Sequence, residues 1–146
     1  MSNRYIRAAL GLLIGSLTIY GVASAHGMEK HGNTMASDYA RMQKLHAMMP
    51  MFSQASAQLA AALKKGDVRS AEWEAERIIA AIPDLKRSKP HKHATELTKY
   101  IQRATNLEIA VRSTREMAQK GNFGEATKAY RKIEAACTAC HTRFRD

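Results

Sequence analysis

The last 24 residues, Phe123 to Asp146, read FGEATKAYRKIEAACTACHTRFRD. Phe123, Ala126, Tyr130, Ile133, Cys137, Cys140 and Phe144 recur at steps of three and four, with His141 beside them. That spacing places them on one face of a helix. Gly121-Asn122 lies just ahead and ends whatever helix precedes it. A helix with a single apolar face cannot bury that face alone, so its partners must lie upstream.

Three further stripes supply them. One runs Met35, Tyr39, Met42, Leu45, Met49, Phe52, Leu59, Leu63, with a gap at Ser56. Pro50 lies inside it and should kink the helix or begin its second part. Gly66-Asp67 closes it, Gly as a stop and Asp as a cap for the next helix. The second is Val68, Ala71, Ala75, Ile78, Ile79, Ile82, with Pro83 and Pro90 bracketing its end. The third is Leu97, Tyr100, Ile101, Ala104, Leu107, Val111, Thr114, Ala118. Four amphipathic helices with short links predict an all-α, antiparallel up-down-up-down four-helix bundle over 35–146. No strand pattern competes. Aromatics are 6% of the chain, which argues against a sandwich or barrel, and 45% apolar residues argue against disorder. Two cysteines cannot make a disulfide-rich scaffold.

The first 25 residues read differently. Arg4 and Arg7 precede an uncharged apolar stretch from Ala8 to Val22, and Ala23-Ser24-Ala25 is a small-residue cleavage site. This is the pattern of a secretory signal peptide over 1–25. The rival reading, a retained anchor, needs roughly 20 apolar residues to span a bilayer, and the stretch is shorter. Cleavage leaves His26 to Asp146, with 26–34 (HGMEKHGNT) as a mobile leader. The mature protein is then expected in the periplasm, with no stable membrane insertion. Its charge stays positive, since the whole chain carries 23 Lys plus Arg against 13 Asp plus Glu. The basic residues are spread through the helices and not gathered with aromatics on a platform, so nucleic acid is not the expected partner. A basic surface can steer an acidic redox partner.

Cys137-Thr138-Ala139-Cys140-His141 carries the chemistry. C-x-x-C-H is the attachment pattern of a c-type haem. Thiols three residues apart lie about one helical turn apart and can add to the two vinyl groups of one porphyrin. The histidine that follows becomes the proximal iron ligand. Three other chemistries use such cysteines. A thioredoxin-type pair sits at a helix N-terminus after a strand, not near a helix end. A zinc site needs a fourth ligand, for which His91 and His93 could be imagined. A disulfide between Cys137 and Cys140 is disfavoured by helical geometry. Export agrees with one covalent haem c and its iron, held near the C-terminal end of the fourth helix.

With CxxCH at the end of a four-helix chain, Phe144 three residues past His141 and Arg145 four past it, the sequence resembles the cytochrome c-prime family, including its low-spin Met-ligated relatives. Weaker points of likeness are the Gly66-Asp67 turn and Arg41 in the first helix. The resemblance implies a monohaem bundle that is no enzyme. Low-spin members imply an electron carrier, and high-spin members imply a five-coordinate iron that binds nitric oxide or carbon monoxide. Helix-pair dimers are common in that family, so monomer and homodimer both stay open.

The sixth iron position separates these functions. His141 lies about 17 residues into the fourth helix, or about 25 Å at 1.5 Å per residue. The same count back from Gly66 reaches Met49. Met48, His46 and Met42 are the next candidates, and an iron with no second protein ligand is the remaining one. Six methionines between Met28 and Met51 also suit flexible core filling. A peroxidase would need a distal acid–base pair, and only His46 offers itself. His26, Met28, His31 and Met35 form a second cluster that could take copper. His91 and His93 read as loop residues, and Trp73 falls off its helix's stripe, suited to a subunit contact or to the haem edge.

Overall fold

In the computed structural model of the chain, which describes residues 30–145, four helices follow one another: α1 (Lys30–Lys65), α2 (Val68–Arg87), α3 (Leu97–Gln119) and α4 (Phe123–Phe144). No strand occurs among the described residues. α1 packs on α2, α2 on α3, α3 on α4, and α4 back on α1. The expected signal peptide 1–25, and His26 and Met28 of the copper cluster, lie outside the described residues. Of His31 only the helical backbone is described.

Local chemistry sets the corners. Gly66 has φ 69° and Gly121 φ 71°, the left-handed region that favours glycine. Asp67 then caps α2, its carboxylate accepting from the Ser70 N–H at 3.0 Å. Asn122 caps α4 in the same way, accepting from the Glu125 N–H at 3.2 Å. The Phe123 ring lies against Gly66, so the two corners meet at one end of the molecule. The core beside them is built largely of small and branched residues: Ala55, Leu59, Ala71, Val111, Ala118 and Ala126 are fully buried.

Several boundaries differ from the sequence spacing. α1 begins at Lys30, so residues 30–34 of the expected leader are helical. An apolar stripe marks burial, and a helix can run beyond its buried part. Met35 and Tyr39 illustrate this, on the stripe in sequence yet 77% and 59% exposed. Pro50 does not divide α1, which is continuous through it. Pro83 does not end α2 either. The helix runs on to Arg87, with Leu85 buried beyond the proline. A proline removes one N–H, a loss that buried packing on both sides can offset. The gap at Ser56 closes when the core is read as Leu45, Met48, Phe52, Ala55, Leu59, with steps of three and four throughout. Met48, not Met49, belongs to that buried row.

The α2–α3 connection is tied down over the end of α4. The Lys92 N–H donates to the Phe144 carbonyl at 3.3 Å. Arg143 grips Glu96 with two N–H groups, at 2.9 and 2.5 Å. Ser88 donates to the Leu85 carbonyl, which leaves the buried Tyr100 hydroxyl to donate to Ser88 at 2.7 Å. Tyr100 in turn meets the Phe144 ring edge to face at 5.3 Å. No described helix is long and apolar enough to cross a membrane.

Candidate functional site

A cavity of about 920 Å³ opens at the end of the molecule opposite the glycine corners. α1 contributes Leu45, His46, Met49 and Phe52; α4 contributes Cys137, Cys140, His141 and Phe144; α3 and the α2–α3 connection supply Tyr100, Leu107 and His91. The volume lies in the range of small-molecule and cofactor sites, about 300–1,000 Å³, and the wall is mainly apolar with a few convergent polar groups.

The C-x-x-C-H residues reach the cavity because α4 stays helical through Phe144. Residues three and four apart share a face, so Cys137, Cys140 and His141 line one wall together. Both cysteines are free and half-buried. Burial pushes both thiols above the usual cysteine range. The neighbouring Cys137 adds to that at Cys140, and Arg103 opposes it. They are therefore protonated thiols near neutral pH. His141 is exposed overall, but its ring is partly desolvated by the cavity wall. Burial first, then the Arg145 charge, lowers its pKa. A neutral imidazole with a free ring nitrogen is the form that binds a metal.

On α1 the candidates part company. Met49 is half-buried and lines the cavity, as does His46 one turn before it. Met48 is 8% exposed, packed in the core, and is not part of the lining. Met42 is half-buried and also outside it. Arg145 is part of the wall, whereas Arg41 and Trp73 are exposed and away from it. His93, the loop's one left-handed non-glycine residue at φ 54°, stacks edge-on to Phe144 outside the cavity.

Some lining residues carried no signal in the sequence. Ser56, which interrupts the stripe, bonds the Tyr130 hydroxyl at 3.0 Å, and the same hydroxyl donates to the Ser56 carbonyl at 3.1 Å. His91, read as an ordinary loop residue, meets His46 with Nε2 to Nε2 at 2.7 Å, their rings stacked at 4.5 Å. The two lie 45 positions apart, so only the fold could join them.

The donor set fits a haem. Two thiols stand a helical turn apart, an imidazole sits beside the second, and the apolar space in front of them exceeds what side chains leave in an ordinary core, where voids larger than water are few. Among the described residues no group of three or more His, Cys, Asp or Glu is gathered for a bare metal ion. Comparison with protein families, with curated proteins and with solved structures finds no match for this chain.

Proposed function

We propose that the chain is an exported monohaem c-type cytochrome acting as an electron carrier, built as an antiparallel up-down-up-down bundle. The helix directions are supported by side-chain pairs that run in opposite order along α2 and α3: Glu72 with Gln119, Glu76 with Arg115, Lys86 with Glu108. The single observation behind the function is one cavity lined both by Cys137, Cys140 and His141 of α4 and by Met49 of α1.

In this reading Cys137 and Cys140 hold haem c through thioethers, and His141 is the proximal iron ligand. When bound, the group supplies a one-electron iron couple. Met49 presents a soft, neutral thioether from α1, the donor that raises a haem potential. Leu45, Phe52 and Leu107 line the cavity with apolar surface and would exclude water from around the group. The Glu96–Arg143 clamp and the Tyr100–Phe144 contact fix the end of α4, and with it the direction of His141. A positive surface steers an acidic redox partner in the periplasm. The protein is a carrier, not an enzyme, in this account.

The absorption spectrum of the oxidised protein tests the distal assignment. Met49→Ala is expected to convert a low-spin six-coordinate spectrum to a high-spin one and to let the reduced form bind carbon monoxide. Met48→Ala is expected to leave the spectrum alone and to cost about 2–5 kcal/mol of stability, because its side chain fills core. Wild-type protein that is already high-spin and binds carbon monoxide or nitric oxide replaces the carrier reading with a gas-binding one.

A further inference from the structure

His46 and Met49 lie three residues apart on α1 and both line the cavity that His141 faces. Both are donors on the cavity that would hold the iron. His46, however, has its Nε2 within 2.7 Å of the His91 Nε2, in a hydrogen bond between rings 20° from parallel. One of the two nitrogens must donate and the other accept, whichever ring carries the proton. In both arrangements the His46 nitrogen is engaged: as donor it has no lone pair to offer, and as acceptor its lone pair is taken. Its Nδ1, bonded to Cγ, is covalently nearer the main chain than Nε2 and so is the shorter-reaching donor.

We infer that His91 is a positioning residue: through its hydrogen bond it latches His46 away from the iron and so leaves the distal position to Met49. The inference rests on the cytochrome reading. Pro50 sharpens it. Residue 50 has no N–H to give the carbonyl of residue 46, so the backbone at His46 lacks its α-helical bond and is the part of α1 best able to re-aim a side chain. The latch comes from the α2–α3 connection, which is fastened to the end of α4 by Lys92 and Glu96. Ligand choice on α1 is thereby coupled to the element that positions His141. Breaking the latch frees a nitrogen donor, a stronger ligand for ferric iron than a thioether.

The test compares the holoprotein with His91→Ala, His91→Phe, His46→Ala and the double variant His46→Ala/His91→Ala. The oxidised spectrum and the midpoint potential are read after a denaturing gel has shown that haem is covalently retained. His91→Ala should lose the weak long-wavelength band of a Met–iron bond, gain a bis-histidine low-spin spectrum and fall in potential, since Met raises it. His91→Phe keeps an aromatic ring for the stack, removes the hydrogen bond, and should do the same. His46→Ala and the double variant should keep the wild-type spectrum. Coloured wild type with unmoved spectra in both His91 variants overturns the latch alone. Loss of the sixth ligand in His46→Ala overturns it too, by making His46 the ligand. A wild-type chain with no covalent haem overturns the cytochrome reading, and the latch with it.

Discussion

The two ends of the bundle are built to different rules. At the corner end, Gly66 and Gly121 turn the chain tightly, Phe123 packs against Gly66, and small residues let the helices close on each other. At the other end the helices stand around about 920 Å³ of open space. A core packs to crystal-like density when its own side chains are the whole filling. The corner end closes on its own small side chains, whereas the far end keeps its cavity beside the buried Leu85, Tyr100 and Phe144 and beside the C-x-x-C-H residues.

The largest effect on that contrast is expected from withholding the proposed haem. The Cys137→Ala/Cys140→Ala chain, unable to hold haem covalently, should unfold less cooperatively and lose on the order of 4 kcal/mol or more, as for removal of a tight ligand. Hydrogen exchange should quicken around Leu45–Phe52 and Ile133–Phe144 while Leu59 and Val111 stay protected. Uniform protection equal to the holoprotein's would mean that the two ends are alike. Leu59→Ala probes the self-sufficient end. It should cost about 2–5 kcal/mol by urea denaturation, because the side chain is fully buried among neighbours that cannot collapse, and leave the absorption spectrum untouched.

Gly66→Ala asks less. At φ 69° an L-residue costs about 1–2 kcal/mol, and the new Cβ would stand at 3.6 Å from the Phe123 ring, an ordinary contact, so strain and not clash sets the effect. The smallest effect is electrostatic and belongs to the site end. Arg143, then Lys99, holds the Glu96 carboxyl down to about 2, from a usual value of 4.5. A carboxyl depressed in the folded state stabilises above its usual pKa, and that stabilisation is lost as pH falls from about 4.5 towards 2. Glu96→Gln should therefore flatten the acid limb of stability against pH in that window, with a modest loss at neutral pH because the pair is open to solvent. Identical acid limbs would show that the clamp carries no charge-dependent stability.

What the sequence disclosed, and what it hid, divides along the same line. The four helices, the two glycine stops and the Asp67 cap were legible because apolar periodicity and Gly-Asp or Gly-Asn pairs are local signals, while the Asn122 cap appears only in the structure. The C-x-x-C-H triplet was legible for the same reason. Register was not. The stripe passed through Met49 and stumbled at Ser56, because alanine is a weak marker of burial. Only packing shows that Met48 and Ala55 fill the core while Met49 and Ser56 face the cavity. Pro83 misled as a helix end, and Pro50 does not begin a second helix, since proline weakens one backbone bond and tertiary contacts decide the rest. The His46–His91 pair was illegible in principle, being made by two elements far apart in the chain.

The proposed cytochrome requires haem bound covalently at Cys137 and Cys140. Intact mass of the exported protein after acid–acetone treatment, which strips non-covalent haem, tests it most directly. The predicted result is a single species beginning at His26 and heavier than the polypeptide by one haem. A colourless chain of bare polypeptide mass, from cells that mature other c-type cytochromes, would contradict it.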